Sequence, residues 1–149
     1  MLKVTREMVL KGSDLRIEVS ADEYGEGHVF VVAPPDTGDM AEARALRLKH
    51  LAIKGSAEVD VNRLFEGGGI DLSKIDLASA QRGLDEARFH LVAQALSKGQ
   101  GEQWTVKDVK RIKPEVFSRI WETVDTISGF SSEAEEQIKG FRRARKGKR

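Results

Sequence analysis

The sequence predicts an α+β protein that is mainly α, with an N-terminal β-hairpin followed by a multi-helix domain. Three observations carry that expectation. Leu15, Ile17 and Val19 alternate with Arg16, Glu18 and Ser20, and a second apolar run, His28 to Val32, follows across a loop with glycines at 25 and 27. That is a strand pair joined by a turn longer than two residues. From Asp36 almost to the end, apolar residues recur at helical spacing instead. Glycine and proline stand where those helices stop and start. The division is residues 1–35 for an N-terminal helix and hairpin, 36–138 for a helical domain and 139–149 for a basic tail.

Thr5 is a suitable N-cap for a short helix through Leu10, and Gly12 stands where a C-terminal glycine belongs. Pro34-Pro35 ends the second strand, because proline cannot donate to a ladder. Asp36 or Asp39 caps a helix to about Lys54, with Gly55 as its stop; Met40, Ala43, Leu46, Leu48, Leu51 and Ile53 are its apolar positions. After a weaker stretch, Gly67-Gly68-Gly69 breaks the chain. Between Asp76 and Leu96, the residues Leu77, Ala80, Leu84, Ala87, Leu91 and Ala95 form the central stripe, widened by Phe89, Val92 and Leu96. Gly99 and Gly101 are expected to terminate this helix. Thr105-Val106-Lys107-Asp108 predicts a short capped helix, stopped near Lys113 by Pro114, which opens the next helix through Ser128. Gly129 then Phe130 reads as a glycine cap with its hydrophobic follower, and Ser132 with Glu135 as a capping box for a last helix.

Composition closes several classes. The 149 residues contain no cysteine, which excludes disulfides, thiolate metal sites and a cysteine nucleophile. No apolar run approaches the ~20 residues of a membrane span, and charges interrupt the first twelve residues; the expected address is the cytoplasm. His28, His50 and His90 show no metal-ligand spacing. Asp60-Val61-Asn62 begins like a calcium loop, but Leu64 and Phe65 occupy positions that need a ligand and a glycine. The triple glycine lacks the lysine and hydroxyl residue of a phosphate-binding loop and reads as a hinge. Acids such as Asp22, Glu23 and Glu26 read as a solvated loop. The expectation is a non-enzymatic protein with no catalytic residue, metal or cofactor.

The formal net charge of +1 conceals an asymmetry. Seven of the 25 basic residues lie in the last eleven positions with no acid, leaving 18 against 24 acids, so the body is −6 and the tail +7. Lys139, Arg142, Arg143, Arg145, Lys146, Lys148 and Arg149 suit a phosphate backbone, an acidic surface of this chain or a partner, or plain solvation. The apolar seam Phe117, Ile120, Val124 and Ile127, with Trp121 alongside, is either core or a face that receives an apolar helix of a partner.

The order of these features resembles the tail assembly chaperones of long-tailed bacteriophages. The resemblance rests on Leu15 to Val19, on Glu23-Tyr24-Gly25-Glu26-Gly27-His28-Val29-Phe30-Val31, on Trp104 to Val109, on Pro114-Glu115-Val116-Phe117, and on Val124 to Phe130 with its Ser128-Gly129. Pro34-Pro35 departs from the Arg-Pro-Leu expected after the second strand. The resemblance implies a small factor of the host cytoplasm, absent from the mature virion, that binds the tape measure protein and helps recruit tail tube protein; a homo-oligomer is compatible with it. Partner contact is then expected at Phe117, Ile120, Trp121, Val124 and Ile127, with hinges at Gly67–Gly69 and Gly99–Gly101 letting that surface adapt. The alternative is a small nucleic-acid-binding protein that uses Arg142, Arg143, Arg145, Lys146, Lys148 and Arg149.

Overall fold

In the computed structural model, which describes residues 1–49 and 77–132, the chain opens with helix α1 (Arg6–Lys11), capped as its sequence predicts. The Thr5 hydroxyl accepts from the Met8 amide at 3.2 Å, and Gly12 closes the helix at a φ of 75°. None of its residues is buried. Strands β1 (Ile17–Ser20) and β2 (Val29–Val32) form the antiparallel hairpin, with Val19 opposite Phe30 and Ile17 opposite Val32. Because side chains alternate across a strand, these four share the inward face, where Val19 and Val32 are buried. Glu18, Ser20, Val29 and Val31 share the other.

Helix α2 (Thr37–Lys49) uses both candidate caps at once. The Asp39 amide donates to the Asp36 carboxylate at 2.8 Å, and the Asp36 amide donates back to the Asp39 carboxylate at 3.0 Å. This is the reciprocal geometry of a capping box. The predicted continuation to Lys54 and the stop at Gly55 lie outside the described residues, as do Gly67–Gly69.

Helix α3 (Leu77–Gln100) is the central element. Its stripe is buried from Ala87 onward, through Leu91, Val92, Ala95 and Leu96, whereas Leu77 at its start is 78% exposed. The helix does not stop at Gly99. It runs through that residue because β2 crosses there in backbone contact: a methyl group on Gly99 would overlap the Val31 carbonyl and stand 2.7 Å from the Val32 Cα. Gly99 is therefore a packing glycine, not a hinge, and the terminating residue is Gly101 at a φ of 68°. Gly83 repeats the arrangement against α2, where a Cβ would overlap the Arg47 carbonyl oxygen. The Ala33 amide adds a bond to the Ala95 carbonyl at 3.0 Å, and Gln100 caps the outer edge of β2 by accepting from the Val31 amide at 3.0 Å.

Helix α4 (Val106–Val109) carries the full Thr105–Asp108 capping box, and α5 (Pro114–Ser128) begins on its proline and ends on left-handed Gly129. The Gly129 amide reaches the Asp125 carbonyl at 2.8 Å, and Phe130 behind it is 1% exposed. The Glu135 half of the last predicted capping box lies outside the described residues. One hydrophobic cluster joins Val19 and Val32 of the hairpin to Leu91 and Leu96 of α3 and to Val116, Ile120 and Val124 of α5. The boundary at residue 35 therefore marks a change of secondary structure within a shared core.

Candidate partner-binding surface

The α5 seam divides into two sets. Ile120 and Val124 have 0% exposure, so in the folded chain they offer no surface to another molecule, and their assignment to partner contact is corrected to core. The reason is geometric: residues 116, 120 and 124 lie four apart on one helical face, and that face packs on α3 and the hairpin. Val116 belongs to the same buried stripe. Phe117, Trp121 and Ile127 lie on the flank of the stripe, half-buried against the core.

That flank is an aromatic row edged with cations. The Phe117 ring lies 5.4 Å from Phe89 of α3, and the Lys110 ammonium stands 5.6 Å above Phe89. Farther along, Trp121 meets Phe130 edge-on at 5.9 Å, with the Arg88 guanidinium 5.4 Å over Trp121 and Arg47 5.2 Å over Phe130. Cations over aromatic faces are attracted by the ring quadrupole. Phe130 is buried beneath Arg47, and Arg88 also lies 3.9 Å from Asp85. The cations come from α2, α3 and the segment before α5, positions that no local sequence pattern connects. Among the described residues the buried Trp104 Nε1 and His90 Nε2 meet no hydrogen-bond partner.

The hairpin tip keeps its acids Asp22, Glu23 and Glu26 exposed, as expected, and is also tied to α5. Arg119 donates to both carboxylate oxygens of Glu23, at 2.7 and 3.2 Å, and to the Ser20 carbonyl at 2.6 Å. The hydrogen bond from Arg119 holds the Glu23 carboxyl at about 2, well below its ordinary 4.5, and the same contact raises the Arg119 guanidinium. Lys113 donates through its ammonium to the Glu23 carbonyl at 2.8 Å and through its amide to the Tyr24 hydroxyl at 2.9 Å. A second clasp joins α2 to α3: the Lys98 ammonium bonds Asp36 at 3.0 Å and also Asp39. The Asp39 amide, then Lys98, lowers the Asp36 carboxyl. Burial works against the Lys98 charge, but Asp39 and Asp36 outweigh it and raise that ammonium.

Other candidate residues remain dispersed. His28 Nδ1 lies 2.9 Å from the Gly25 carbonyl, His90 is half-buried on α3, and His50 is outside the described residues. Among the described residues no group of three or more His, Asp or Glu could hold a metal ion, and no helix is long and apolar enough to cross a membrane. The calcium-like segment at Asp60 and the basic tail with Arg142, Arg143, Arg145, Lys146, Lys148 and Arg149 also lie outside the described residues. Comparison with known protein families, curated proteins and solved structures finds no match to this chain.

Proposed function

We propose that this chain is a non-enzymatic binding protein of the tail assembly chaperone type, which keeps a tape measure protein soluble and helps recruit tail tube protein around it. The observation that supports the reading is the order of elements: a hairpin opening the chain, a helical body, then a proline-started helix ending on Ser128-Gly129. That is the order the sequence resemblance implies. The client face in this reading is the row of Phe89, Phe117, Trp121 and Ile127, with Ile120 and Val124 as its internal support. Half-buried rings on one helix flank suit a client helix that carries apolar residues.

Co-expression with a tape measure protein tests the reading. The expected result is soluble client that co-purifies with the chain, and less of it when Trp121→Ala replaces the largest ring of the row. A client that stays insoluble in the presence of the wild-type chain refutes the proposal.

A further inference from the structure

The first eleven residues carry apolar side chains that the rest of the described chain leaves exposed. Met1 and Leu2 are fully exposed, Val4 is 73% exposed, and Met8, Val9 and Leu10 in α1 are 58–67% exposed. This segment is also cationic, with Lys3, Arg6 and Lys11 against Glu7. Among the described residues nothing covers this capped helix with its three consecutive apolar residues, and such surface is normally covered.

The complementary surface is on the same molecule. The outward face of the hairpin presents Val29 at 43% exposure, beside Val31. Around them the segment 13–32 has five acids, Asp14, Glu18, Asp22, Glu23 and Glu26, against one cation, Arg16. Glu23 is paired with Arg119, and Asp14 with Lys11 of the arm itself; Glu18, opposite Val31, and Glu26, in the turn, stay as exposed carboxylates. The outer edge of β2 is closed by Gln100 and the Ser20 carbonyl of β1 by Arg119, so the face itself, rather than a strand edge, is what remains to be covered. Within one chain the arm does not lie across this face, since every residue from Met1 to Arg16 is exposed.

We propose that residues 1–11 dock on the outward hairpin face of a second copy of this chain, reciprocally, so that one two-fold contact covers both arms and both hairpins. An isologous exchange uses the same pair of patches twice, and here both patches carry apolar residues and bear opposite charge. An anionic lipid surface would also attract the arm, but it would leave the hairpin patch bare and be repelled by its carboxylates. This inference is independent of the chaperone reading, because it concerns a different surface and needs no client.

Light scattering on the eluting full-length chain, across a concentration series and at low and high salt, tests it. The expected result is a monomer–dimer equilibrium that weakens as salt rises. Met8→Asp with Val9→Asp should weaken dimerisation about tenfold or more while circular dichroism shows an unchanged fold, since both positions are exposed. Lys3→Glu with Arg6→Glu and, separately, Glu18→Lys with Glu26→Lys should each yield monomers; mixed together, the two charge-reversed proteins should recover a heterodimer. A chain that stays monomeric at every concentration overturns the proposal, as does a dimer indifferent to these substitutions. Arm-dependent binding of the monomer to phosphatidylserine vesicles, without dimers, overturns it in favour of a lipid surface.

Discussion

Helix α5 and the first sixteen residues are both rich in apolar side chains, yet one is the inner wall of the core and the other is wholly exposed. In α5, Val116, Ile120 and Val124 repeat every fourth residue along a 15-residue helix and reach 0% exposure. In α1, Met8, Val9 and Leu10 are consecutive on a six-residue helix and point around its circumference. Apolar content alone does not decide burial. A repeating face long enough to meet neighbours along its length does, because helical stability in proteins comes mainly from packing such a face.

The sharpest way to break the comparison is to truncate both sides of it. Ile120→Ala should cost about 3–4 kcal/mol, as the loss of buried methyl groups plus the cavity left behind. Urea denaturation measures that loss as a fall in midpoint at unchanged slope. Gly99→Ala follows at about 2–3 kcal/mol, because the added methyl meets strand backbone that cannot yield as a side chain can. A thermal melt that barely moves for Gly99→Ala would return this residue to the hinge its sequence suggests.

Thr105→Ala removes one half of the α4 capping box and should cost about 1 kcal/mol, readable by the same denaturation. The Glu23–Arg119 contact sharpens the picture through pH. A carboxyl whose folded value lies near 2 against an ordinary 4.5 contributes stability above the ordinary value, and that contribution is lost as pH falls toward the folded one. Glu23→Gln should therefore melt below wild type at neutral pH and converge with it near pH 2. Asp36 and Asp108 are also lowered, the first by the Asp39 amide and the second by the Thr105 amide, so the acid slope should flatten only in part. The smallest effect is expected in the arm: at protein concentrations where the chain is monomeric, Met8→Asp with Val9→Asp should change unfolding free energy by less than about 0.5 kcal/mol. A larger loss would mean that the arm packs on the body.

Much of the fold was legible because its signals are local. Thr5, the Asp36–Asp39 pair, the Thr105–Asp108 box, Pro114 and Gly129 each satisfy or withhold backbone groups within a few residues, so their roles follow from chemistry at short range. The candidate surface was legible only in outline. The same spacing that marks Phe117, Ile120 and Val124 as one stripe fits a core and a docking face equally well, and sequence gives no measure of which neighbours arrive.

By itself, then, the sequence determined the hairpin, the order of the helices and most of their caps, since each depends on residues close together in the chain. The tertiary structure alone decided three further matters. It made Gly99 and Gly83 contact points for β2 and α2, because backbone approach depends on elements distant in sequence. It paired Glu23 with Arg119 across 96 positions, turning an acid of an apparently solvated loop into a tie between hairpin and α5. And it separated Ile120 and Val124 from Phe117 and Trp121, because only the packing of α3 and the hairpin against α5 fixes which side of an apolar stripe is interior.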